Sequence, residues 1–344
     1  MIGVQWFAGA RTQTLDRSGE GEPMAAVVDN VSIATAGNWP SLPYREWRAT
    51  RDTLHMYTQV IGKVRLALSP FEPQWANVPF YVTARGLTTS TIPVGLSTID
   101  AEFDLIDHVL VVRSSNGHEE RRPLGGSVAD FYSDVLRILK AMNVEVDIST
   151  LPSEVHDPIR FSEDSKHHTY DAGHALRFFQ VLSTVDIVMK EYHAAFQGRT
   201  SPVQFFWGTF DLSVARYSGR PVTPPPDAPV IRRFGGDAEA ICAGFWPGDE
   251  RFTEPAFFAY GYPAPAGIER SSIQPSGAHW DPAVREFMFP YEAVRAEKNP
   301  GESILRFLDS AYASAAALMD WEADLTKVSR PPRSHAAAIG GAQT

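Results

Sequence analysis

One local pattern occurs twice in this chain of 344 residues. In each copy, a segment with helical spacing of apolar residues ends in a short run closed by lysine, VIGK (60–63) or IVMK (187–190). A proline-led segment rich in aromatic residues follows each run, VPFYVTARGL (78–87) or SPVQFFWGTFDL (201–212). Three- and four-residue spacing favours amphipathic helices, whereas aromatic and β-branched residues favour strands. The pattern therefore predicts a fold that combines long helices with β-sheet.

Helix signals occur at four places. The predicted helices begin after Pro43, at Ser127, near Asp171 and at Asn299. Ser127 and Asp130 have the spacing of a capping box, and Pro300 stands at the first helical position, where proline is favoured. Gly198 is placed to end the third helix, because glycine adopts the left-handed conformation common at helix ends.

Antiparallel strands are predicted between the helices. The segments IDAEFDL, HVLVVRSS and HEERRPL follow one another, and Asn116-Gly117 between the last two is typical of a tight hairpin turn. In the second half, segments 201–219 and 255–263 are the clearest strands. We therefore predict an α+β fold of two related helix–antiparallel strands–helix halves packed about a pseudo-two-fold axis. The alternative explanation is that any α+β protein divided in this way shows the same order of elements.

The predicted organisation has four parts. Residues 1–38 lack sustained periodicity and are predicted to be a flexible leader. Residues 39–150 and 151–324 form the two α+β halves, and residues 325–344 have the composition of a disordered tail.

Charge and cysteine content exclude several classes of protein. The formal net charge of −10 argues against a general nucleic-acid surface, which needs a basic face. No apolar run approaches the roughly 20 residues of a membrane span. Cys242 is the single cysteine, so the chain has no intrachain disulfide and no cysteine-rich zinc site. We expect a cytoplasmic protein, and the sequence does not indicate its oligomeric state.

The aromatic segment around Asp211 has two interpretations. If residues 203–218 form one extended strand, side chains alternate between its faces. One face would then carry Gln204, Phe206, Gly208, Phe210, Leu212, Val214 and Arg216, and the other Phe205, Trp207, Asp211 and Tyr217. Rings mixed with a few polar groups are typical of small-molecule sites. In the alternative, Asp211 is a turn residue between two strands and caps backbone amides.

Cations occur at like positions in the two halves. Lys63 and Lys190 lie near the ends of the long helices, Arg85 and Arg216 lie in the strand regions that follow, and Arg220 lies just beyond. In an acidic protein this repetition favours a site for a carboxylate or phosphate, which arginine binds through two parallel hydrogen bonds. The alternative is that the lysines complement helix dipoles and the arginines lie on solvated faces.

Acidic and histidine residues are concentrated between Glu154 and His174. Their spacing does not favour a metal site, since Glu191 and His193 on the following helix point to different faces and no HExxH motif occurs. His168 and Glu191 remain candidates for an acid or base. The chain has no GxGxxG after a strand, no GxxxxGK[ST] and no GxSxG, so no cofactor is indicated.

Four stretches resemble a known bacterial family. They are WPSLPYREWRATRDTLHMYTQVIGKVRLAL, VPFYVTARGLTTSTIP, SVADFYSDV and SPVQFFWGTFDLSVARYSGRP, and the resemblance extends from about Trp39 to Trp321. The family is known only as a domain of unknown function, number five-nine-nine-six. The resemblance therefore implies no reaction, cofactor or fold.

From these patterns we expect a metal-independent enzyme that binds a small anionic molecule in an aromatic-lined cleft between the halves. The expected acid or base residues are Asp211, Glu191 and His168. The expected substrate-binding residues are Lys63, Arg85, Lys190, Trp207, Phe206, Arg216 and Arg220. A non-catalytic ligand sensor and a protein–protein scaffold are the alternatives.

Overall fold

Helices and antiparallel strands alternate in the computed structural model, which describes residues 39–250 and 252–327. The helices are α1 (Tyr44–Leu68), α2 (Val128–Ala141), α3 (Ala172–Ala194), α4 (Val230–Gly235), α5 (Tyr291–Ala296) and α6 (Pro300–Leu318). The four long helices start within one residue of the predicted positions, whereas the short α4 and α5 have no counterpart in the predictions. The predicted leader, and the predicted tail beyond Lys327, lie outside the described residues.

Side-chain caps begin helices α2, α3 and α6. The Ser127 hydroxyl accepts a hydrogen bond from the Asp130 amide (3.1 Å) and the Asp130 carboxylate accepts one from the Ser127 amide (3.4 Å), which confirms the predicted capping box. Helix α3 ends at Ala194, so Gly198 is not its C-terminal cap. The glycine instead lets the Phe196 ring pack closely, because an added Cβ would lie 2.4 Å from that ring.

The first sheet confirms the predicted meander. Its strands are β1 (Tyr81–Val82), β2 (Gly86–Thr88), β3 (Ile92–Val94), β4 (Ser97–Asp104), β5 (Val109–Ser114) and β6 (Glu119–Pro123). They pair antiparallel in the order β1-β2-β4-β5-β6, with β3 also on β4. The segment predicted as one strand over residues 78–87 forms parts of two strands, β1 and β2. A turn separates them, because the Thr83 hydroxyl accepts hydrogen bonds from the amides of Arg85 and Gly86.

The second sheet has the order β11-β12-β10-β9-β8-β7, again with antiparallel neighbours. Its strands are β7 (Gln204–Phe206), β8 (Asp211–Pro221), β9 (Ala238–Trp246), β10 (Ala256–Tyr262), β11 (His279–Asp281) and β12 (Glu286–Pro290). Two backbone hydrogen bonds of 2.8 Å between Phe80 and Phe205 join this sheet to the first.

One hydrophobic cluster takes side chains from both predicted halves. Helices α3 and α6 contact strands of the second sheet, and α1 contacts α2, α3 and β3. Most residues of α1 from Thr50 to Arg65 are buried, so this helix is enclosed on nearly every side. The fold is therefore α+β with two antiparallel sheets. Each half has the order helix, antiparallel strands, helix, but β3 lies off the path of the first sheet and β12 lies between β10 and β11.

Candidate functional site

The aromatic segment forms a hairpin, not one extended strand. Its strands β7 and β8 pair with Gln204 opposite Ser213 and Phe206 opposite Asp211, and a turn separates them. Phe210 in that turn has a positive φ of 62°, which reverses the alternation expected for a continuous strand. Gln204 and Phe206 therefore share a face with Asp211, and the expected grouping of Gln204 and Phe206 with Arg216 is wrong.

Asp211 lies on the face of the second sheet that is turned away from α3 and α6. The opposite face buries Leu212 and Val214. Pairing across β8, β9, β10 and β12 gives the composition of the Asp211 face. We call it the acidic sheet face, and it carries Phe206, Asp211, Ser213, Cys242, Phe258, Tyr260 and Glu286.

Two half-buried carboxyl groups lie on the acidic sheet face. Burial raises the pKa of Asp211 to about 7; the charge of Glu154 acts in the same direction, and hydrogen bonds from Thr209 and Ser213 oppose the shift. Burial also raises the pKa of Glu286 to about 7, and the charge of Asp211 adds to this effect. No cation contributes to either pKa shift. Both groups therefore exchange protons near neutral pH.

Apolar and weakly acidic groups surround these carboxyls. The rings of Phe258 and Tyr260 stack with centroids 6.2 Å apart, and an added Cβ at Gly244 would lie 2.5 Å from the Phe258 ring. Burial raises the pKa of the Cys242 thiol to about 12, so the thiol stays protonated. The neighbouring Cys242 and burial raise the pKa of Tyr260 well above its ordinary value. Asp211 and Glu286 are thus the groups of this face that can ionise near pH 7.

Three of the predicted substrate-binding cations are paired with acidic residues of the protein. Arg85 binds Asp104 and also Asp107, with 2.8 Å between Nη2 and Oδ2. Lys190 Nζ lies 2.6 Å from Asp186 Oδ2. Arg220 Nη1 lies 3.3 Å from Glu239 Oε1 and donates to the Met319 carbonyl oxygen at 2.9 Å. These pairs explain the three cations without a ligand.

Arg216 and Lys63 are buried and have different partners. The Arg216 guanidinium donates to the Tyr192 carbonyl oxygen at 2.6 Å and lies over the rings of Tyr192, Phe196 and Tyr312. Lys63 Nζ lies 3.1 Å from Ser153 Oγ. No two of the five cations share one of these protein partners, and their common anion site stays a prediction.

The remaining predicted residues have different surroundings. Trp207 is buried, its Nε1 donates to the Val78 carbonyl oxygen at 2.9 Å, and its ring packs on Gly62, so it does not form an open stacking wall. His168 is exposed, with Nδ1 2.9 Å from the Lys166 carbonyl oxygen. Glu191 lies half-buried on α3.

Of the predicted residues, Asp211 and Phe206 therefore share one face. Sequence reasoning missed Glu286 because it missed β12, although the run EFMFP contains strand-favouring aromatic residues.

A second group of polar side chains lies on α1. We call it the polar stripe; its members are Arg51, His55, Gln59 and Lys63, at successive intervals of four residues. All four are buried, and the spacing aligns them along one side of the helix. Burial and the charge of Arg51 hold the pKa of His55 well below its ordinary value, and His55 Nε2 lies 2.9 Å from the Gly208 carbonyl oxygen. Hydrophobic periodicity alone does not reveal this stripe.

Comparison with known protein families gives one match. Residues 39–328 match the family of unknown function DUF5996. The chain belongs to this family. The match confirms the resemblance seen in the four sequence stretches, while no curated protein and no solved structure matches the chain.

The described part of this DUF5996 protein lacks two further features. Within residues 39–250 and 252–327, no three His, Cys, Asp or Glu side chains are grouped so that they could hold a metal ion. In the same residues, no helix combines the length and the apolar character needed to cross a membrane.

Proposed function

We propose that this DUF5996 protein is a metal-independent enzyme that binds a small molecule against the acidic sheet face and uses Asp211 and Glu286 as an acid–base pair. The observation that carries the proposal is the position of both carboxyl groups on one face, beside stacked rings and without a cationic partner among the described residues. Structural carboxylates are more commonly paired with a cation or capping amides. Two carboxyl groups that share one aromatic face and lack a cationic partner are typical of a functional site.

Each of the two carboxyl groups is partly protonated near neutral pH. Because the charge of Asp211 raises the pKa of Glu286, ionisation of one carboxyl group disfavours ionisation of the other. One group then donates a proton while the other accepts one, which is the requirement for combined acid and base catalysis. The half-buried ring of Tyr260, which stacks on the buried Phe258, would contact a flat apolar part of the substrate.

The charge of the face favours a neutral or cationic substrate. An anion placed beside Asp211 and Glu286 would be repelled above pH 7, since both groups would then be ionised. The anionic ligand expected from the sequence stays a prediction, as do the alternatives of a ligand sensor and a protein–protein scaffold.

A ligand panel tests the proposal. Benzylamine, benzyl alcohol and benzoate share a ring and differ in charge, and saturation-transfer NMR measures their binding below and above the pKa of about 7. We expect the amine and the alcohol to bind, the amine more tightly at the higher pH. Asp211→Asn and Glu286→Gln should each weaken binding of the amine about tenfold, which corresponds to ~1.4 kcal/mol.

A surface substitution provides the control. Asp147 is exposed, so Asp147→Asn should bind the panel like the wild type. Binding of benzoate alone, or binding of the amine that neither site variant changes, rejects the proposed site. Once a substrate is found, loss of turnover in both site variants is required, and turnover that survives in both rules out the acid–base roles.

We also propose that the halves 39–150 and 151–324 arose by internal duplication about a pseudo-two-fold axis. The shared order of helix, antiparallel strands and helix supports this relationship. Superposition of the two halves in one common strand order is the test, and a match that requires a different strand order in each half would contradict it. The cytoplasmic location expected from the sequence stays a prediction.

A further inference from the structure

Two side chains of the polar stripe meet one serine. Gln59 Oε1 accepts a hydrogen bond from the Ser153 amide at 2.8 Å, and Gln59 Nε2 donates to the Ser153 carbonyl oxygen at 2.7 Å. One helical turn further, Lys63 Nζ lies 3.1 Å from Ser153 Oγ. The interval of four residues on α1 thus places the amide on the backbone of Ser153 and the amine on its hydroxyl.

Lys63 lacks the usual partner of a buried lysine. Lys63 is only 8% exposed. Among the described residues, the hydrogen-bond partner of its amine is Ser153 Oγ. An ammonium group without a carboxylate is costly to bury, so the Lys63 ammonium loses its proton more readily than an exposed lysine does. Burial accordingly lowers the pKa of Lys63. A neutral amine has a lone pair that can accept the hydroxyl proton.

Ser153 is held in place, and part of its surface is exposed. The residue is half-buried, whereas Gln59 and Lys63 beneath it are buried. Its backbone is fixed on both sides by the Gln59 amide, and Glu154 follows it in the left-handed region with φ of 59°. A non-glycine residue in this region indicates a locally constrained backbone. The serine hydroxyl therefore has a fixed position beside the amine.

We propose that Ser153 and Lys63 form a nucleophile and general-base pair that accepts acyl groups from an ester or amide. A hydroxyl becomes an effective nucleophile when a base within hydrogen-bond reach removes its proton, and lysine serves as that base when it is neutral. Gln59 is a positioning residue, because it holds the backbone and does not reach the hydroxyl. The proposal does not depend on Asp211 or Glu286.

The chemical step balances within this pair and the substrate. The Ser153 Oγ–H proton passes to Lys63 Nζ as the Oγ–carbon bond forms at the substrate carbonyl. The bond from that carbon to the alcohol or amine leaving group then breaks, and Lys63 returns the proton to the leaving group. Water repeats the same two steps on the acyl-serine and releases a carboxylic acid.

A fluorophosphonate probe tests the nucleophile directly. The probe forms an Oγ–phosphorus bond and loses fluoride, and the labelled residue is identified by mass spectrometry of the intact chain and of its peptides. We expect stoichiometric labelling at Ser153, none in Ser153→Ala, and labelling about 100-fold slower in Lys63→Met, the typical contribution of a general base. The rate should rise with pH, with a midpoint below the ordinary lysine value of 10.5, because the neutral amine is the active form.

Matched controls separate reactivity from folding. Ser162 and Lys140 are exposed, so Ser162→Ala and Lys140→Met should label like the wild type. Circular dichroism checks the fold of each variant, and Lys63→Arg serves if Lys63→Met fails to fold, since a guanidinium cannot act as a base near neutral pH. Absence of labelling in the wild type, labelling elsewhere, or an unchanged rate in the folded Lys63 variant overturns the proposal.

Discussion

The guanidinium carbon of Arg216 lies 3.5 Å from the centroid of the Tyr192 ring, and the Arg216 side chain is entirely buried. Nε and Nη1 of this arginine have no hydrogen-bond partner among the described residues. The positive charge of Arg216 therefore has no carboxylate partner. It is stabilised by stacking on three rings and by one hydrogen bond to a carbonyl oxygen. This environment differs from a ligand-binding arginine at the edge of an open cleft.

Substitution of Arg216 should separate charge from volume. Arg216→Met keeps most of the volume and removes an uncompensated buried charge, a change that is often neutral or stabilising. Arg216→Ala leaves a cavity between the rings and should lower the free energy of unfolding by about 2–5 kcal/mol. Urea unfolding of both variants measures the difference. Equal destabilisation by Met and by Ala would mean that the charge itself stabilises the fold.

The carboxyls of the acidic sheet face predict a specific pH dependence of stability. The pKa of Asp211 is raised from 3.8 to about 7, so between these values the folded state binds more protons than the unfolded state. The free energy of unfolding contributed by this group is then present at low pH and is lost as pH rises through 7. Glu286 changes the free energy of unfolding in the same direction, because its pKa is raised from 4.5 to about 7.

Neutral variants reveal this contribution. Asp211→Asn and Glu286→Gln should be more stable than the wild type above pH 7, and the advantage should shrink as pH falls toward 4. Thermal unfolding across this range measures the difference, with Asp147→Asn as the exposed control. A difference between variant and wild type that does not change with pH contradicts the raised pKa values.

The contact between Gly62 and Trp207 predicts that position 62 on α1 does not tolerate a larger side chain. A Cβ at Gly62 would lie 2.2 Å from the Trp207 ring, and that ring is fixed by its hydrogen bond to Val78. Gly62→Ala should therefore destabilise the protein by about 1–3 kcal/mol, although alanine favours helices. Chemical unfolding followed by tryptophan fluorescence checks this.

Gly173 on α3 is the comparison, because its nearest obstacle is a side-chain oxygen of Asp171 at 3.2 Å. Gly173→Ala should cost less than Gly62→Ala. The opposite order would show that the Trp207 ring can move.

The capping box of α2 predicts a measurable loss. Ser127→Ala removes the hydroxyl that accepts a hydrogen bond from the Asp130 amide. This change should lower the free energy of unfolding by ~1 kcal/mol. Ser133 is exposed in the middle of the same helix, so Ser133→Ala should change stability by a few tenths of a kcal/mol or less. Denaturant titration compares the two variants, and an equal effect at both positions would exclude a capping contribution.

Elements that depend on nearby residues could be predicted from the sequence. The starts of α1, α2, α3 and α6 and the meander β4–β5–β6 follow from caps, turn residues and periodicity, each of which acts within a few residues. The hairpin β7–β8 was ambiguous, because SPVQFFWGTFDL contains strand-favouring residues on both sides of its turn. Gly208 and Asp211 indicated a turn, but the pattern did not decide between one strand and two.

The sequence by itself determined the fold class, the long helices and the family, because these depend on local propensity and on residue order. Only the tertiary structure decided the partners of the chemical groups. Lys63 meets Ser153 across 90 residues of chain, and Asp211 shares a face with Glu286 through three intervening strand pairings. Such contacts depend on how sheets and helices pack and on which charges that packing buries. Propensity carries no information about either.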